Sequence, residues 1–255
     1  MVQEHINNCV NWIRDWFSLN GDENTKAIVG ISGGKDSTAV AALCVKALGK
    51  DRVIGVLMPN GVQTDITDSY KVCEKLGIKH FEINIENAYN SLTEEITNKL
   101  NLEKTEQYKT NTPSRIRMTT LYGVGALIGN CRIANTSNLS ELMIGYFSLW
   151  ADSVGDFAPL ADFTSDFVMD ICKELGFEDS LSYKTPTDGM SGKSDEENLG
   201  FTYKELNNYI INGECDNHII RKRVKDFSWK RKLINIPYYK VIVMDWTTEV
   251  LWKFV

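Results

Sequence analysis

The segment Gly30 to Ser37, GISGGKDS, concentrates the groups in this sequence best able to hold an anion. An apolar run, Ala27-Ile28-Val29-Gly30-Ile31, leads into two glycines, and Ser37 to Leu48 then reads as a helix. Glycine reaches backbone conformations closed to other residues, so amide N–H groups turn inward with no Cβ in the way. A row of such N–H groups at a helix N-terminus binds phosphate. Ser32 and Ser37 add hydroxyl donors. Asp36 would repel bare phosphate, so its place beside the glycines implies a bridging Mg2+. The loop is not GxxxxGK[ST], because Val29 holds the first-glycine position and Asp36 follows Lys35, and it is not GxGxxG. Lys35 fills a variable position and is expected to be a surface charge. The bland alternative is a glycine turn that merely joins strand to helix; the flanking serines and the internal aspartate argue against it.

Short alternating elements surround this loop. Ile6, Val10, Ile13 and Phe17 recur at helical spacing and predict an amphipathic helix over 3–19. Val53–Met58 reads as a second strand, closed by Pro59 and Asn60-Gly61, residues 65–76 as a helix stopped by Gly77, and Phe81–Ile85 as a third strand. Residues 86–112 read as a helix and a loop. Pro113 reads as the first residue of a helix running through RIRMTTLYGVGALIG, and Cys131–Thr136 as a fourth strand. Helical patterns dominate from residue 140, with a polar loop at 187–198. This alternation implies parallel pairing through right-handed crossovers. The expected fold class is α/β: an open, doubly wound, mostly parallel sheet flanked by helices, forming one domain over residues 1–255.

Composition narrows the function. The net charge of −6 argues against a broad nucleic-acid surface. The N-terminus lacks the basic start and apolar stretch of a signal peptide, and no run approaches the ~18 apolar residues of a membrane span. A cytoplasmic protein is expected, with neither nucleic acid nor membrane as a partner. Six cysteines with no CxxC pair, and three isolated histidines, argue against a zinc site, a disulfide framework or a Ser-His-Asp triad.

SGGKDS resembles the SGGxDS signature of the PP-loop ATP pyrophosphatases, whose fold is adenine-nucleotide α-hydrolase-like. Its members cleave ATP between the α and β phosphates and adenylate a carboxyl or carbonyl oxygen. The loop alone does not name the acceptor. A second block does: RxRM on a helix, then NTSNLSE, GY, GD and P within residues 111–160 resembles ammonia-dependent NAD synthetase. The likeness continues through TPTDGMSGKSDEENLGFTY at 185–203 and WKR at 229–231. It implies that ATP activates the nicotinate carboxylate of deamido-NAD and that ammonia displaces AMP, giving NAD. It also implies residue roles. Asp36 and Glu141 match the family's Mg2+ ligands and are the catalytic pair. Gly30, Ile31, Ser32, Gly33, Gly34, Lys35, Asp36, Ser37, Thr136 and Thr187 match ATP contacts, with Leu57 and Met58 at the adenine. Arg115, Asp156 and Lys230 match deamido-NAD contacts, and Arg117 lies near Arg115.

Taken singly, these residues have plainer readings. Arg115 and Arg117 suit a solvated basic face, Glu141 a first-turn helix carboxylate, Thr136 and Ser140 strand-end and capping groups, and Lys230 a basic surface stretch. Three positions depart from the family pattern. Leu149 stands where a lysine or arginine usually meets substrate, Ser165 where many members carry an ATP-contacting lysine, and Ala151 replaces a glycine. Lys184 or Lys193 could compensate. The chain continues only briefly past WKR, leaving no room for a glutamine-hydrolysing domain, so free ammonia is the expected nitrogen donor. The apolar circumference of the helix after Pro113 predicts deep burial or close helix packing, and the family likeness implies a homodimer through it. Two alternatives stay open: a PP-loop ligase acting on another acid or a tRNA base, and a catalytically silent ATP-binding or nucleotide-sensing protein.

Overall fold

The computed structural model describes residues 2–177, 195–213 and 216–241. Four short strands, β1 (Lys26–Gly30), β2 (Val53–Leu57), β3 (Lys79–Glu82) and β4 (Cys131–Ile133), form one sheet in the order β3-β2-β1-β4. All three pairings are parallel, with Ala27 opposite Val53, Ile54 opposite Lys79 and Ile28 opposite Ile133. The expected open, parallel α/β architecture is therefore the observed one.

Helices cover both faces, and the strands alternate accordingly. Ala27, Val29, Val53 and Leu57 join one core cluster with α1 (Val2–Asn20), α2 (Lys35–Leu48) and α7 (Ser165–Glu174). Ile28, Ile54, Val56 and Ile133 join another beneath Leu121 of α5 (Glu106–Ile128). All four apolar positions singled out in α1 are buried. The α3 helix (Ile66–Leu76) ends at Gly77 with φ +63°, as its C-terminal glycine predicts. After β3, the chain runs through α4 (Glu86–Leu100) and α5 to β4, on the far side of β1. The order thus reverses between β1 and β4. Ligands of such sheets bind beyond the strand carboxyl ends at that reversal.

One expectation fails. Pro113 lies inside α5, which begins seven residues earlier at Glu106, where Thr105 accepts the Tyr108 N–H. The helix tolerates the proline because only the bond to the Lys109 carbonyl is lost, and Lys109 lies at the helix's exposed end. Within the single chain α5 is not deeply buried, Leu127 being 91% exposed and Tyr122 and Ile128 also exposed, which leaves close packing against another helix as the reading of its apolar face.

A smaller cluster joins Met143 and Ile144, at the end of α6 (Leu139–Met143), to Leu206 and Tyr209 of α9 (Tyr203–Asn212) and Val224 of α10 (His218–Asp226). Between α7 and α9 lies α8 (Asp195–Leu199), and Ser228–Arg231 form α11.

Candidate functional site

The loop after β1 has the shape its sequence requires. Gly33 adopts φ +77°, and a Cβ there would come within 2.9 Å of the Ser69 backbone nitrogen and the Asp68 Cβ. Only glycine permits both the conformation and the close approach of α3. Gly34 precedes α2 with no side chain capping it, which leaves the helix's first N–H groups for a ligand. The Ser32 N–H donates to Ser37 Oγ at 3.2 Å, the two hydroxyl oxygens lie 3.1 Å apart, and Thr38 Oγ1 donates to the Gly34 carbonyl at 2.8 Å. The loop is therefore braced by its own hydroxyls before any phosphate arrives.

Lys35 is not the expected surface charge. It is buried, and its Nζ lies 2.7 Å from Asp36 Oδ2. Burial disfavours the ammonium, but Asp36 and Glu141 more than offset it and hold the pKa above the ordinary lysine value.

The second wall is the segment after β4. Asn135 Nδ2 donates to the carbonyls of Asp152 and Val154, Ser137 Oγ donates to Asp152 O, and the Ser137 N–H donates to Asn135 Oδ1. Alternate residues of NTSN thus tie the segment to the 152–155 loop. A Cβ on Gly155 would strike the Asn135 backbone nitrogen at 2.9 Å. Thr136, between Asn135 and Ser137, is half-buried.

Asn138 then starts α6. Its Oδ1 accepts the Glu141 N–H at 3.1 Å, while Glu141 Oε2 accepts the Asn138 N–H at 3.3 Å, a reciprocal capping box. The same side chain's Nδ2 donates to Asp36 Oδ1 at 2.9 Å. One asparagine therefore touches both acidic residues across the sheet's reversal point. Glu141 is a first-turn helix carboxylate, as its plainer reading had it, and also faces the phosphate loop. Sequence reasoning overlooked Asn138, although Asn-x-x-Glu before a helix is a legible capping signature. Ser140, suggested as a cap, is instead buried, donating to Asn207 Oδ1 and accepting the Ser165 N–H. Ser165 is itself buried, part of that junction.

The expected substrate contacts fall less tightly together. Arg117 is half-buried, not a solvated face, and donates from Nε to the Met58 carbonyl at 3.0 Å, steadying the end of β2. Exposed Arg115 donates from Nε to the Leu149 carbonyl at 3.1 Å. Asp156 accepts the Ile133 N–H at 2.7 Å and the Tyr122 hydroxyl at 3.3 Å. Burial, then the Asp156 charge and hydrogen bond, push the Tyr122 pKa up to about 12. Lys230 donates to the carbonyls of Gly145 (2.9 Å) and Phe147 (2.8 Å). Arg223 reaches the Ile144 carbonyl at 3.3 Å and Arg231 that of Met143, so three cations grip the C-terminal end of α6. Thr187, with Lys184 and Lys193, lies outside the described residues.

Among the described residues there is no group of three or more His, Cys, Asp or Glu suited to a metal. Two carboxylates completed by phosphate oxygens and water are, however, a donor set that suits Mg2+. Among those residues, no helix is long and apolar enough to cross a membrane.

Residues 5–236 match the family model described as NAD synthase. The NH(3)-dependent NAD(+) synthetase of Thermococcus sibiricus is 36% identical over 222 residues, covering 86% of this chain and 83% of that one. Its counterpart from Carboxydothermus hydrogenoformans is 32% identical over 240 residues, covering 92% and 97%. Among solved structures, an NMN synthetase from Francisella tularensis superposes with a TM-score of 0.82 at 28% identity, covering 93% of this chain and 98% of that one.

Proposed function

The chain belongs to the NAD synthase family, and we propose that it uses ATP to amidate deamido-NAD with ammonia, giving NAD, AMP and pyrophosphate. Carboxylate oxygen is a poor leaving group, so the nicotinate must first be activated. Its oxygen attacks the α-phosphorus of ATP and pyrophosphate departs. The lone pair of ammonia then attacks the acyl carbon, a proton is lost, and AMP leaves with the carboxylate oxygen that formed the mixed anhydride. The open N–H groups at the start of α2, with Ser32 and Ser37, bind the departing pyrophosphate. Asp36 and Glu141 would hold Mg2+, which would neutralise charge gathering on the phosphates.

The observation that carries this reading is Asn138, whose side chain spans Asp36 and Glu141. A glycine turn without chemistry needs no asparagine whose side chain joins the Asp36 carboxylate to the Glu141 N–H while its own N–H meets the Glu141 carboxylate. The chain acts as one domain on free ammonia, the donor named for its relatives. We propose further that it forms a homodimer, burying the exposed Tyr122, Leu127 and Ile128 of α5 against a second copy.

A second acceptor has a specific observation behind it. The Francisella neighbour is named for NMN, and the family resemblance implies a lysine or arginine where this chain has Leu149. An acceptor with one phosphate needs fewer cationic contacts than one with two. Incubation with ATP, Mg2+, ammonium and either deamido-NAD or nicotinate mononucleotide separates the readings. Equal yields of AMP and NAD, with the dinucleotide turned over at higher kcat/KM, support the first. Preference for the mononucleotide supports the second, and ATP binding without AMP from either acceptor refutes both.

A further inference from the structure

The variable position of the phosphate loop carries a lysine with a side chain only 4% exposed, against 22% for its neighbour Asp36. Lysine is almost never buried so deeply unless paired. Here the pairing is with the loop's own aspartate, and the backbone of the pair is fixed. The Cys172 thiol of α7 donates to the Lys35 carbonyl at 3.2 Å, and Thr38 ties the first turn of α2 to Gly34. Both Asp36 oxygens are committed within the protein, Oδ2 to the Lys35 ammonium and Oδ1 to Asn138. Nothing in the loop's phosphate-binding geometry, which is made of backbone N–H groups and hydroxyls, requires a cation at this position.

We propose that Lys35 is an internal counter-cation, holding the Asp36 carboxylate in place beside Glu141 and giving up Oδ2 when a divalent cation arrives with the nucleotide phosphates. The proposal rests on the reading of Asp36 and Glu141 as metal ligands. Two neighbouring carboxylates with no cation between them would draw in a divalent metal on their own. A fixed ammonium repels that metal and cancels half of the pair's charge, so metal binding stays weak until phosphate oxygens add their charge. Lys35 is thus a positioning residue that couples metal entry to nucleotide entry.

The test is a titration of Mn2+ into the full chain without nucleotide, following free Mn2+ by electron paramagnetic resonance. Lys35→Met removes the charge while keeping most of the side chain, Lys35→Arg keeps the charge, and Asp36→Asn removes the ligand. Lys35→Met is expected to bind Mn2+ about tenfold more tightly than the unmodified protein, as loss of a nearby positive charge requires. Lys35→Arg should bind as the unmodified protein does, and Asp36→Asn should lose binding. Lys35→Met should also melt at a lower temperature without metal and recover when Mn2+ is added. If Lys35→Met binds no more tightly while Asp36→Asn still loses binding, the counter-cation role is overturned and the metal site stands. If Asp36→Asn binds normally, the metal reading itself falls, and the proposal with it. Lys35→Gln serves the same comparison should Lys35→Met not fold.

Discussion

Replacing Asn138 by alanine removes two interactions at once: the cap that accepts the Glu141 N–H and the hydrogen bond that orients Asp36. Loss of an N-cap costs about 0.5–2 kcal/mol. A hydrogen bond to a carboxylate contributes about 1.5–3 kcal/mol when sheltered, and Asp36 is 22% exposed, so the lower end applies. The sum is a loss of about 2–3.5 kcal/mol, or a fall in Tm of roughly 4–14 °C for a chain of this length. Serine at 138 separates the two effects, because it caps helices well but is too short to reach Asp36. Thermal melting and AMP release, measured on both variants, give the two readouts. Asn138→Ala should lose both stability and turnover. Asn138→Ser should melt within a few degrees of the unmodified protein yet lose about tenfold in kcat, an ordinary penalty for a misplaced catalytic group. Full turnover in Asn138→Ser would refute the claim that this residue couples the two loops.

Three further outcomes follow from the same geometry. Asp36→Ala and Glu141→Ala should each nearly abolish AMP release in a coupled assay, and full activity in either would remove it from the metal site. Leu127→Asp, on the exposed face of α5, should shift the protein from dimer to monomer in sedimentation velocity, changing the stability of the monomer fold itself by no more than about 0.5 kcal/mol, as surface changes do. Tyr122 has a raised folded pKa of about 12, so its stabilising effect is complete below the ordinary tyrosine pKa and is lost as pH rises from there through about 12. Tyr122→Phe should therefore flatten the alkaline fall in stability seen by urea denaturation across that range.

The β2 strand was legible because both of its faces are covered. Val53–Leu57 is buried at every position, and a short apolar run between turn residues is what such a strand looks like in sequence. The glycine loop was legible because Gly33 has no substitute at φ +77° against α3. Local reading failed where tertiary partners decide. Lys35 looked like a surface charge because nothing in its neighbours along the chain reveals that α7 closes over it. Pro113 looked like a helix start because proline is favoured there, while the true start, capped by Thr105, was hidden in a polar stretch. Asn138 was missed for a different reason. Its capping pattern is local, but its second partner, Asp36, is distant in sequence, and only the reversal of strand order brings them together.

In the proposed reaction, ATP energy enters as an adenylate of the acceptor's carboxylate. Deamido-NAD carrying heavy-isotope oxygen in that carboxylate tests it directly, by mass spectrometry of the products after turnover with ATP, Mg2+ and ammonium. One labelled oxygen should appear in AMP, and none in pyrophosphate. Label in inorganic phosphate, or NAD formed with unlabelled AMP, would contradict the account.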